Sequence, residues 1–312
     1  MRETTNLENA IGKTHEISQN NYDEIIPVRN MNFECFERIE IAGQSFGVLP
    51  SAQRLLANRL RIPFSYLNRC PIQLQADNLN YWIEQERKNR ETFFCRFSGD
   101  QLRGFFTERY RAIDHMEVLT KMLEYGFDPS GEVHLSLDSE LMVLKVPEYD
   151  RLFSLSEKDK IVPGISISNS EVGILALSIS AYYFRCICSN GMIAKTSVNA
   201  SYKHVSRRVM DEFPFVLENV VSQSSHVQNR FQISVQTPVD NPESTIDTFS
   251  RQFQIPQMQT EIVKQAFYLE QGATMFHIIQ AFTRAAQDIS LSATDSYRME
   301  KAGGTILSMV KS

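Results

Sequence analysis

The chain has 312 residues, 42% of them hydrophobic, which is enough for one large domain or two ordinary ones around a substantial core. A formal net charge of -5 excludes a protein that coats polyanions with its whole surface, so any polyanion site has to be local. Five unevenly spaced cysteines read as reduced thiols rather than a disulfide or zinc framework.

Residues 1–30 are polar with scattered apolar positions and read as an N-terminal arm, followed by a single α+β domain over 31–312. The start lacks the apolar core of a signal peptide, and no apolar run reaches about 18 residues, so a cytoplasmic protein without membrane contact is expected. From Phe46, Ser51 stands as a helix N-cap, and Leu55, Leu56, Leu60 and Ile62 recur at near-helical spacing until Pro63. A second helix is predicted over Pro71 to Lys88, with Leu74, Leu79, Trp82 and Ile83 on one face. The chain is therefore expected to begin with helices.

A central, mostly antiparallel sheet is predicted over about 92–200. Thr92 to Phe97 and Gln101 to Ala112 read as a hairpin turning at Ser98-Gly99-Asp100. His115 to Tyr125 reads as a helix capped by Gly126, with Asp114 as its N-cap. Glu132 to Leu137 and Leu141 to Val146 alternate as strands. The run from Ile167 to Ser197 reads as a hairpin core with a turn at Ser189-Asn190-Gly191, in which Cys186 and Cys188 are small buried hydrophobes. The C-terminal part, about 212–312, reads as helical: Glu212 to Val235, a turn at Pro238 to Pro242, Gln257 to Gln271, Ala273 to Ile289, and a last helix from Ala293.

Chemistry is less legible than architecture. The common hydrolase, nucleotide-binding, dinucleotide-binding and zinc-protease motifs are absent, and the six histidines show no metal-ligand spacing. The chain is read as non-enzymatic, and no catalytic residue, metal or cofactor is assigned. Charge distribution points elsewhere. Arg54 to Arg111 carries eleven basic and six acidic residues; Ala112 to Glu171 carries five basic and twelve acidic; Ala194 to Met210 carries four basic residues and no acid.

Arg96, Arg103, Arg109 and Arg111 alternate with aromatics that include Phe105 and Tyr110, and single strands are held by cationic grooves with aromatic faces for stacking. A strand with aromatics in the core and arginines in solvent would produce the same pattern without a ligand. In the acid-free run, Lys195, Lys203, His204, Arg207 and Arg208 are suited to phosphate contact. Glu171, Asp114 and His115 are the candidates for metal-ligand or acid/base roles; Glu171 sits in a polar block that reads as a turn or a site.

IPFSYLNRCP at 62–71, FFTERYRAID at 105–114, ISNSEVG at 167–173, FRCICSNGMI at 184–193 and FTRAAQD at 282–288 resemble, in order, an uncharacterised family of phage-like and plasmid-like proteins. The resemblance implies DNA metabolism of mobile elements without supplying a reaction. Together these readings predict a nucleic-acid-binding protein, with single-stranded DNA favoured, that binds or anneals strands in recombination, repair or replication. A homo-oligomer is compatible with annealing. The alternatives are a metal-dependent nucleic-acid-processing enzyme and a protein-interaction module in phage defence or counter-defence.

Overall fold

A computed structural model describes residues 2–157, 159–186, 190–194, 200–202, 215, 224–270 and 272–310. Two sheets and ten helices are formed among them. The larger sheet is antiparallel in all its pairings, in the order β1 (Arg2–Asn6), β8 (Glu132–Leu137), β9 (Met142–Pro147), β11 (Lys160–Asn169), β12 (Leu177–Arg185), β13 (Asn190–Ala194), with β10 (Phe153–Ser154) on β11 and β14 (Ala200–Tyr202) on β12. The smaller sheet is mixed: β2 (Asn21–Pro27), β6 (Thr92–Ser98), β7 (Gln101–Phe106), β5 (Gln44–Val48), β4 (Arg38–Ile41), β3 (Met31–Phe33), with β5 and β7 parallel.

The α+β class holds, but the chain starts with mixed strand and helix rather than helices. The first thirty residues are no loose arm: β1 and β2 pair with β8 and β6, while α1 (Leu7–Ser18) buries Leu7 and Ala10 against the main core. Their polarity misleads because both strands add backbone hydrogen bonds at sheet edges, which needs few apolar side chains.

In α2 (Pro50–Leu60), Pro50 takes the first helical position and Leu49 the cap; the Ser51 hydroxyl donates instead to the Arg103 carbonyl at 2.8 Å. After the short α3 (Phe64–Leu67), α4 (Ile72–Glu86) buries Ala76, Leu79 and Ile83 while Leu74 and Trp82 are exposed, so the predicted apolar face is rotated. Helix α5 (His115–Glu124) ends as expected, Gly126 adopting φ +84° and Phe127 N–H closing on the Met122 carbonyl.

Strand β7 stops at Phe106, well short of Ala112, and the chain then leaves the sheet as a loop leading to α5. Asn190 and Gly191 open β13, paired with Arg185 and Phe184, rather than forming the turn. Cys186 is exposed, against the buried reading, and Cys188 lies outside the described residues.

The larger sheet is covered on both faces. One face carries Ile165, Ile167, Ile179, Ala181 and Tyr183, with Tyr183 edge-on to Phe231 of α6 (Ser224–Gln236). The opposite face carries Val162, Ser166, Ser168, Ser178, Ser180 and Tyr182, and α10 (Ala293–Met309) sets Ala293 and Tyr297 against it. Helices α7 (Pro242–Gln252), α8 (Gln257–Tyr268) and α9 (Met275–Ala285) complete the C-terminal part.

Gly164 marks a tight point between β9 and β11: an added Cβ would lie 2.2 Å from the Val146 carbonyl oxygen. Gly164→Ala is expected to cost about 3 kcal/mol, because backbone rather than a side chain must yield. Urea denaturation checks it, and an unchanged midpoint would contradict the close approach.

Candidate functional site

The sequence-predicted hairpin residues converge, but not on a surface. Arg96 of β6 is 2% exposed and Arg103 of β7 is 5% exposed. On β6, Phe93, Cys95 and Phe97 face the core of the smaller sheet, and Arg96 turns to the opposite side. That side is covered too, by the loop after β7 and by the β11–β12 connection, so the arginines are interior groups. Phe105 is buried in the smaller core. Tyr110 stacks on Phe106 with centroids 3.7 Å apart, and its hydroxyl donates to the Glu171 carbonyl at 3.1 Å. Only Arg109 and Arg111 of this group are exposed. Lys195, Lys203, His204, Arg207 and Arg208 lie outside the described residues.

Glu171 is the centre of the cluster. One carboxylate oxygen accepts from Arg103 Nη1 at 2.7 Å and the other from the His115 backbone N–H at 2.8 Å. Its own carbonyl accepts from Arg96 Nη1 at 2.9 Å. Arg96 also makes a forked pair with Asp23, Nε to Oδ1 at 2.8 Å and Nη2 to Oδ2 at 3.1 Å, and a further bond to Asp114. Asp114 thus occupies the N-cap position of α5 while its carboxylate serves Arg96 instead of capping. Burial opposes ionisation of Glu171, but His115, the Arg103 guanidinium and these hydrogen bonds outweigh it and bring its pKa down to about 2.

His115 is buried and its pKa is lowered, with desolvation as the main cause. The Asn169 amide N–H lies 3.0 Å from its Nδ1, the arrangement in which the amide donates a hydrogen bond to a neutral imidazole. Glu171, Asp114 and His115 therefore do come together, yet both Glu171 oxygens are engaged and Asp114 is held by an arginine. No group of three potential metal ligands occurs among the described residues. The cluster can rivet the smaller sheet to the larger one; a cavity of about 230 Å³ beside it is lined by Arg103, His115, Glu171, Glu140 and Ser51.

A second concavity was not foreseen. A cavity of about 510 Å³ opens over the serine-bearing face of the larger sheet, with His134, Ser136, Lys145, Tyr182, Tyr297 and Glu300 in its wall. Lys145 is ion-paired to Glu300 and sits 5.3 Å from the centre of the Tyr182 ring. His134 Nδ1 is 3.2 Å from the Tyr182 hydroxyl, and its ring meets Phe184 edge-on at 4.8 Å. Burial and then the Lys145 charge lower the His134 pKa. A usable signal existed in the lone charge of LMVLKVP and the serine alternation of ISIS and LSIS, which put polar groups on a face that a helix also covers.

No curated protein and no solved structure matches the chain. Among the described residues, no helix is long and apolar enough to cross a membrane. The family model described as Domain of unknown function (DUF932) matches residues 104–312, so four of the five resembling blocks fall inside it and the block at 62–71 precedes it. With two-thirds of its length matched, from the end of β7 through the larger sheet except β1 and on through the C-terminal helices, the chain belongs to the DUF932 family.

Proposed function

We propose that the protein binds single-stranded nucleic acid, DNA above all, and serves strand binding or annealing in recombination, repair or replication of a mobile element. The observation that carries this reading is the acid-free basic run: in the sequence, Lys195, Lys203, His204, Arg207 and Arg208 stand on either side of residues 200–202, which form β14. An acidic protein that concentrates cations in one stretch of its sequence carries a local charge suited to a phosphate backbone. Exposed Arg109 and Arg111 extend the basic set, whereas Arg96, Arg103 and Phe105 are committed to the interior and leave it. The likeness to phage-like and plasmid-like proteins supports the mobile-element setting.

Fluorescence anisotropy with a labelled single-stranded oligonucleotide tests the reading. Affinity is expected to fall linearly on a log scale with salt, by about 0.7 per phosphate neutralised. The double variant Arg207→Ala/Arg208→Ala should weaken binding and flatten that slope by about 1.4. No binding at low salt would overturn the proposal. Unchanged affinity and slope in the variant would remove this segment from the interface.

A further inference from the structure

We infer that the exposed side of α4, together with the adjoining end of α2, is a stacking platform for the bases of single-stranded nucleic acid, centred on Tyr81 and Trp82. The inference rests on the nucleic-acid reading above and adds a surface far in sequence from the run at Lys195 to Arg208. Helix α4 turns Ala76, Leu79 and Ile83 inward. Trp82, the single tryptophan of the chain, and Tyr81 stay 43% and 59% exposed, with their rings edge-on and centroids 5.2 Å apart. Tryptophan is highly buried on average, so its place here needs a reason. Leu74, two turns before Tyr81 on the same side of the helix, is exposed as well, and apolar groups gathered on one exposed face mark a surface that meets a partner.

Charge names the partner. From Ile41 to Ala76, through α2 and α3 and into α4, the chain carries Arg54, Arg59, Arg61 and Arg69 and no acidic residue. Arg54 pairs with Glu140, and further on Arg87 pairs with Glu84 and Arg90 with Glu86. Arg59, Arg61, Arg69 and Lys88 make no ion pair among the described residues, against Asp77 and Glu91 in the same state, so cations remain in excess. They are also near the rings. Arg59 feels the charges of Arg90 and Glu86, which brings the end of α2 beside that of α4, and Trp82 stands one turn before Glu86 on α4. Free cations beside exposed rings are what a single strand requires, since its phosphates take the charge and its unpaired bases the ring faces. A duplex keeps its base faces inside the stack and has nothing to lay on Trp82.

Because Trp82 is the only tryptophan, its emission reports on this one place. The full chain is titrated at low salt with a labelled thymidine oligonucleotide for anisotropy and with the unlabelled one for tryptophan fluorescence. Quenching should follow the anisotropy with the same midpoint and should reverse as salt is added. Trp82→Ala should weaken binding about fivefold or more, as the loss of one stacked base does, and Trp82→Phe should restore most of it. No binding in either signal would overturn the nucleic-acid reading and this inference with it. Binding by anisotropy without quenching, or with undiminished affinity in Trp82→Ala, would overturn this inference alone. Equal quenching by a duplex of the same length would do so too, as would an emission that shifts with protein concentration in the absence of oligonucleotide, which would make this face a contact between copies of the chain.

Discussion

Glu171→Gln is expected to lower stability at pH 7 by about 3 kcal/mol and to remove much of the protein's sensitivity to acid. The carboxylate receives Arg103 on one oxygen and the His115 N–H on the other, and all three groups are buried. An amide of the same shape brings an N–H against one of those donors and leaves the Arg103 charge without its counter-charge. Linkage fixes the pH signature. Glu171 has its pKa lowered from 4.5 to about 2 in the folded protein, so its stabilisation is complete above 4.5 and is lost as pH falls toward 2. That range is worth about 3 kcal/mol. His115, lowered from 6.5, acts in the same direction, favouring the folded state above 6.5 and losing that contribution as pH falls toward its depressed value. Urea denaturation between pH 7 and pH 3 should therefore show the parent losing stability in both windows. Glu171→Gln should be weaker at neutral pH and flatter below 4.5. A variant that matches the parent at pH 7, or keeps the same acid slope, would refute the riveting role.

The same cluster shows where sequence reading reaches and stops. The polar block Asn169-Ser170-Glu171 between apolar runs is visible in one dimension, and its reading as a turn holds, since it leads from β11 into the connection to β12; that its Glu171 is also the hub of a buried ion-pair cluster is not visible there. Its partners are 56 to 75 residues away in sequence, and no periodicity reports on pairing at that range. Arg96 and Arg103 were misplaced for a related reason. Alternation separates the two faces of a strand but cannot say that the second face is also covered. The rigid local signals fared better: Gly126 after α5, the start of α10 at Ala293, and the Asp138 to Glu140 turn between β8 and β9 are all where chemistry along the chain puts them. Helix α7 was legible and missed. Asn241 caps it, Pro242 takes its first position, and Ile246 and Phe249 follow on one side, yet the Pro-rich start suggested only a turn.

Lys145 and Glu300 pose a second quantitative test because they are joined across 155 residues of chain and buried. Lys145 projects from β9, Glu300 from α10, and the Gln287 amide donates to the same Glu300 oxygen at 3.2 Å. Removing either charge alone strands the other in a low-dielectric site, at a cost of about 3–5 kcal/mol; removing both restores an uncharged contact between strand and helix. Lys145→Met and Glu300→Gln should each be strongly destabilising, whereas the double variant should be less destabilised than the sum by about 2 kcal/mol or more. Additive costs in a denaturation cycle would show that the pair does not act as a unit. The cycle also bears on how α10 is held. On this face its other contacts are Ala293, Tyr297 and the hydrogen bond between the Ser168 and Tyr297 hydroxyls at 3.1 Å, while Met299, Ala302, Ile306 and Leu307 of the same helix are buried in the main core and supply most of its apolar anchorage. The ion pair therefore fixes the register of α10 on the sheet more than it adds net stability. The double variant is accordingly expected to regain stability while losing hydrogen-exchange protection in α10 ahead of β11 and β12, which are bonded to neighbours along both edges.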